Sequence, residues 1–187
     1  MLVDKRALLE LGGFDASYFY LFEDLDMAWR LRLAGKRAFA VEDALCAHRG
    51  GTPGLSFRGP IDYPARRAEL HSLNRWRLIL KCHSLATLVL AAPALVAYEV
   101  VWALFTLGSG NFGPYVRGKL RLVAELGRIS KQRAEVQRSR VRRDREFLVG
   151  GPLTVSPQLR RGGLAGGVLR ALDVGLGVWW KLIRPLC

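Results

Sequence analysis

Gly12-Gly13-Phe14-Asp15-Ala16-Ser17-Tyr18-Phe19-Tyr20-Leu21-Phe22-Glu23-Asp24-Leu25-Asp26 is the stretch on which the reading of this chain turns. A glycine pair closes what precedes it, an aromatic loop follows, and three carboxylates within four residues open a new element. Upstream, residues 2–11 read as a short helix with Leu2, Leu8, Leu9 and Leu11 as its apolar members. Gly12-Gly13 ends it, because glycine accepts the left-handed conformation that a helix C-terminus needs. Downstream, a helix is expected from Glu23 to about Ala34, with Leu25, Ala28, Trp29 and Leu33 on one face and Gly35 as its stop. Arg37–Val41 and Ala44–His48 then read as two short extended segments. Helix followed by strands is the pattern of the end of an α/β layer.

Farther out, residues 49–64 hold Gly50, Gly51, Pro53, Gly54, Gly59, Pro60 and Pro64 and read as a loop. Residues 65–83 read as a basic helix. Leu85 to Gly108 has Glu99 as its only charged residue and exceeds the roughly 20 residues needed to cross a bilayer, although Pro93 interrupts it. Residues 115–146 form a charged helical stretch with 11 Lys/Arg and 4 Asp/Glu. After the break at 150–152, Leu164–Ile183 is a second apolar helix candidate. The expected divisions are 1–64, 65–149 and 150–187.

Charge is unevenly placed along the chain. The formal net charge is +13, yet residues 1–48 carry 6 Lys/Arg against 8 Asp/Glu, and residues 49–187 carry 23 against 8. An acidic head precedes a strongly basic body, which points to a polyanionic surface as partner. Tyr115 and Phe147 lie only at the margins of the 115–146 stretch, and no nucleic-acid recognition motif occurs there, so nucleic acid is not the expected partner. Basic clusters next to apolar segments instead suit an anionic membrane surface, at about 1 kcal/mol per basic residue near the lipid. Both flanks of 85–108 are basic, which frustrates a simple span. A peripheral or re-entrant association on the cytoplasmic face, broken at Pro93, avoids the conflict. Cys46, Cys82 and Cys187 show no C-x-x-C spacing, which fits a reducing compartment. Met1-Leu2-Val3-Asp4-Lys5-Arg6 has no apolar core of a secretory signal.

The carboxylates suggest chemistry. A sugar hydroxyl needs a general base to attack an activated sugar at neutral pH. Asp24 is expected at a helix start, where backbone N–H groups and the macrodipole favour its ionised form. Glu23 and Asp26 are expected to oppose that with like charge. His48, opening into Arg49-Gly50-Gly51, can reach the same cleft, and a neutral imidazole is a fair ligand for a divalent ion. Ser56, Ser72 and Cys82 have no base at recognisable spacing, and His71 and His83 have no carboxylate partner in the sequence.

Taken together, Gly12-Gly13-Phe14-Asp15, Tyr18-Phe19, Glu23-Asp24-Leu25-Asp26, Arg30, Gly35, His48 and Gly50-Gly51 resemble the second half of the catalytic domain of family-2 glycosyltransferases, rhamnosyltransferase-like members included. The resemblance covers residues 1–83. It implies an α/β fragment, the C-terminal part of a GT-A (Rossmann-like) domain, followed by a mainly helical membrane-associated region. It implies inverting transfer from a nucleotide-sugar donor to a glycan or lipid-linked acceptor in cell-envelope polysaccharide synthesis. Asp24 would be the base, Glu23 its neighbour, Gly12, Gly13, Phe14 and Asp15 the acceptor-facing loop, and His48 a residue assisting Mg2+ or Mn2+. Asn74-Arg75 resembles a segment that follows in membrane-associated members. Asp24-Leu25-Asp26 lies within the later acidic motif and is not the donor-site D-x-D, so the donor-binding half is expected on another polypeptide or an upstream segment. The alternative is a non-catalytic membrane-surface or assembly module derived from such an enzyme.

Overall fold

The computed structural model describes residues 3–39, 41–43, 45, 55, 63–151 and 163–187. Eight α-helices are described: α1 (Lys5–Glu10), α2 (Glu23–Leu33), α3 (Ala65–Cys82), α4 (Leu85–Leu90), α5 (Ala92–Gly108), α6 (Phe112–Ala124), α7 (Leu126–Arg138) and α8 (Gly163–Ile183). Short 3-10 turns lie at Ala16–Tyr18, Asp144–Glu146 and Arg184–Leu186.

The expected α/β layer is therefore corrected: the described residues form an all-α fold without a strand. Residues 37–39 and 41 carry no ladder, and Phe39, Val41 and Leu45 are exposed. A short extended segment holds only when a neighbour takes up its backbone groups, and no described residue supplies one. Ala44 and Cys46–His48, the rest of the expected second strand, fall outside the described residues.

α3 is the hub, with α2, α6 and α7 packed on it. Leu33 of α2, Leu78 and Cys82 of α3 and Val136 of α7 form a buried cluster, flanked by Phe22, Trp29 and Phe147. Unusually for a hub, the buried positions of α3 also include Glu69, Ser72, Asn74, Arg77 and Lys81. Each must therefore be paired inside the fold.

The 85–108 segment divides at Ala91, where α4 ends, and Pro93 occupies the first turn of α5, the helical position that tolerates a missing N–H. Ser84 caps α4 by accepting from Thr87 N at 3.0 Å. No helix among the described residues is long and apolar enough to cross a membrane.

α6 meets α3 at a glycine. A Cβ added to Gly118 would stand 2.6 Å from the carbonyl oxygen of Glu69 and 3.0 Å from Ser72 Cβ. Alanine improves helix propensity by up to about 1 kcal/mol. Forcing the helices apart against a backbone atom costs about 1–3 kcal/mol. Gly118→Ala is accordingly expected to lower the urea midpoint, and a raised midpoint would show that the two helices separate freely.

Candidate functional site

α1 begins with Asp4 accepting from Ala7 N at 2.9 Å and ends at the glycine pair. Gly12 N donates to Leu9 O and Gly13 N to Leu8 O, with φ of 77° and 72°, the left-handed closure that only glycine takes without strain. The chain then enters the turn that leads to the carboxylates. Three non-glycine residues there have positive φ: Phe19 (58°), Leu21 (69°) and Phe22 (73°). Each such residue costs about 1–3 kcal/mol and persists only where its surroundings impose it.

The imposing group is Asn74. Its fully buried amide nitrogen donates to Tyr18 O (3.0 Å), Tyr20 O (2.8 Å) and Leu21 O (3.0 Å). Arg77 Nη1 donates to Asn74 Oδ1 and to Ser17 O, both at 2.7 Å. Arg77 is itself anchored on Glu125, through Nε at 2.9 Å and Nη2 at 2.6 Å. A strained turn, an amide clamp and a guanidinium backing thus deliver residues 23–26 to the start of α2.

Those four residues divide by environment. Asp24 is exposed, and its Oδ1 accepts from Leu25 N at 2.8 Å. Glu23 is half-buried, and its Oε2 has no hydrogen-bond partner among the described residues. Asp26 is wholly buried between Arg30 Nε (2.8 Å) and Lys81 Nζ (2.5 Å) and accepts from Tyr18 OH at 3.1 Å. Two cations thus compensate the Asp26 charge inside the fold. Arg30 also donates to Leu11 O (2.6 Å) and Gly13 O (2.7 Å), tying α2 to the glycine turn.

A cavity of about 550 Å3 opens beside that turn. Gly12, Gly13, Phe14 and Asp15 line it together with Lys81 and Gln132. Asp15 accepts from Lys81 Nζ (2.8 Å) and Gln132 Nε2 (3.0 Å). Burial works to raise its pKa but is outweighed by hydrogen bonds from Lys81 and Ser17 and by the Lys81 charge, so the carboxyl stays well below the usual range. Glu23 and Asp24 are not among the residues lining this cavity. The structure thus groups the expected acceptor loop with Lys81 and Gln132 and sets the expected base pair apart, on the far end of the clamped turn. His48 lies outside the described residues. Among the described residues no three metal-ligating side chains converge, and Asp26 is already engaged by two cations.

No known protein family, curated protein or solved structure matches this chain.

Sequence reasoning counted Arg77 and Lys81 only as members of the basic 65–83 helix, passed over Gln132, and valued Asn74 only by resemblance. One signal was present: Asn74, Arg77 and Lys81 recur at spacings of three and four, which places them on one face of α3. Sequence reasoning also assigned His71 and His83 no role; both rings are partly buried, and the Nδ1 of each has no hydrogen-bond partner among the described residues. His71 packs against Trp102 (4.2 Å between centroids) and edge-on to Phe22, and His83 stacks on Trp29 (5.2 Å). Burial, reinforced for His71 by the charges of Arg75 and Arg67, pushes each down to about 4. For His83, burial dominates, with Asp144 opposing and Arg140 assisting.

Both values lie below the unfolded imidazole at 6.5. Between pH 6.5 and 4 the unfolded chain therefore binds more protons than the folded one. Stability is full above about 6.5 and falls as the pH drops toward 4, by on the order of 3 kcal/mol per histidine. Denaturant midpoints measured across that window are expected to fall with pH, and His83→Phe to flatten the slope. A midpoint independent of pH would mean that both rings reach water.

Proposed function

We propose that this chain carries the acceptor-activating part of an inverting glycosyl transfer, with Asp24 as general base. The observation that supports this most is the turn before it. A turn with three non-glycine residues at positive φ, held by one buried amide, is costly to maintain and leads to the exposed carboxylate that the sequence motif designates. Asp24 Oδ takes the proton from the acceptor hydroxyl as that oxygen attacks the anomeric carbon of a nucleotide sugar. The bond from that carbon to the diphosphate breaks, the configuration inverts, and the nucleoside diphosphate leaves with the electron pair. Glu23, half-buried beside Asp24, orients the acceptor. The glycine turn, Phe14 and Asp15 offer the acceptor glycan or lipid-linked sugar a polar cavity with one aromatic wall.

The nucleotide-sugar donor, and the Mg2+ or Mn2+ that the resemblance implies, are left to residues outside those described, and no step here is routed through a metal. One observation favours the second reading, a non-catalytic assembly module derived from such an enzyme: Asp24 and Glu23 do not line the cavity. Transfer from a nucleotide sugar to a lipid-linked acceptor, assayed in cell membranes with the native chain and with Asp24→Asn, separates the two. Loss of transfer supports the base, whereas unchanged transfer leaves the module.

A further inference from the structure

Glu69, near the start of α3, faces three guanidinium groups. Arg121 Nη1 lies at 2.6 Å, Arg117 Nε at 3.6 Å and Arg66 Nη1 at 3.8 Å. One carboxylate offsets one of these charges and leaves a local surplus of two. Arg117 and Arg121 stand along one flank of α6, Arg117 exposed and Arg121 partly so.

Beside them on α6 runs an apolar row, Val116, Leu120 and Val123, at spacings of four and three. All three are exposed, with Leu120 at 64%. The row points away from α3, because Gly118 is the residue pressed on Glu69 and Ser72. α5 repeats the arrangement. Its inner side is fixed by Glu99 accepting from Trp76 Nε1 (2.6 Å) and by Trp102 Nε1 donating to Ser72 (2.8 Å). On the opposite side Val96, Val100 and Leu104 are exposed. α5 and α6 touch each other, both reach α3, and Lys119 of α6 pairs with Glu99 of α5 at 2.5 Å, so the two rows lie on neighbouring helices. Six exposed valines and leucines on two neighbouring helices are not ordinary for a protein face open to water.

We propose that the outer face of the α5–α6 pair docks in the plane of an anionic lipid membrane. The valine and leucine rows enter the acyl boundary, while Arg66, Arg117 and Arg121 engage the phosphate headgroups. Charge selects this occupant. The chain carries +13 overall, so a second copy would bring like charge against like charge. A nucleic acid satisfies the arginines but has nothing to cover two apolar rows. An anionic bilayer answers both, with the arginine stems lying along the apolar face and their heads in the headgroup layer. The inference stands on this surface alone and does not depend on the transfer reaction.

The test is co-sedimentation of the 187-residue chain with vesicles of equal parts phosphatidylglycerol and phosphatidylcholine, against phosphatidylcholine alone, at physiological salt. Anionic vesicles are expected to bind about tenfold or more tightly. The double variant Leu104→Asp/Leu120→Asp is expected to lose about tenfold in that binding. Arg66→Gln/Arg117→Gln, which keeps the 2.6 Å Arg121–Glu69 pair, is expected to lose a similar factor and to flatten the salt dependence, with an unaltered circular dichroism spectrum. Should the aspartate variant misfold, the arginine variant decides. Equal binding to both vesicles, or native binding by both variants, overturns the proposal. So does a dimer that the aspartates dissolve while vesicle binding persists, or a preference for duplex DNA over the anionic vesicles.

Discussion

Asp26→Ala is expected to be the most damaging single substitution in the chain. Among the described residues, it removes the only carboxylate that Arg30 Nε pairs with and the closest partner of Lys81, leaving both cations in a buried region. Tyr18 OH, also buried, loses its acceptor. Breaking a buried ion pair by deleting one partner costs about 3–5 kcal/mol, against a total stability of about 5–15 kcal/mol for a typical domain. For a chain of this size that corresponds to a fall of roughly 10 °C in Tm. A surface carboxylate such as exposed Glu42 gives the comparison, with an expected change within about 0.5 kcal/mol. The double variant Asp26→Leu/Lys81→Met should lose less than the sum of its parts, because it removes charge from both sides. Equal midpoints for native and Asp26→Ala protein would show that water reaches the pair.

Asp24→Asn is expected to do the opposite, leaving the fold intact while abolishing transfer. Asparagine keeps an oxygen for Leu25 N at the helix start, and the side chain is exposed, so unfolding should shift by less than about 0.5 kcal/mol. It cannot take a proton. Loss of a positioned general base lowers the rate by about 10^2–10^4, or about 3–5 kcal/mol of barrier. The fall should appear in kcat and kcat/KM alike, with Glu23→Gln acting more strongly on KM. Two neighbouring carboxylates, 24 and 26, would thus separate the proposed catalysis from folding. Unchanged turnover in Asp24→Asn, measured beside an unstable Asp26→Ala, would leave the motif a structural one.

What the sequence disclosed was local. The glycine pair closing α1, the opening of α2 at Glu23, the span of α3 and the interruption of the 85–108 segment near Pro93 depend on propensities of neighbouring residues. The extended segment expected at 37–41 depended on a partner elsewhere in the chain, and alternating apolar residues cannot specify whether one exists. Phe39 and Val41 have the pattern of a strand and no ladder. Asp24 and Asp26 looked alike in sequence, since their difference arises from Lys81, 55 positions beyond Asp26, on another helix. The role of Asn74 was hidden for the same reason: its three acceptors lie 53 to 56 residues away.

The position of Asn74 along α3 has a mechanical meaning. Two residues before it, Ser72 holds Trp102 of α5, and two residues after it, Trp76 holds Glu99. Within about one helical turn, roughly 6 Å of rise, the same rod grips the outer helix on one side and the turn before Asp24 on the other. No hinge or loop intervenes between them. Wherever α5 is seated, the carboxylate stands at a fixed height and angle above that seat, and its aim is set by the stiffness of a helix rather than by the wandering of a loop.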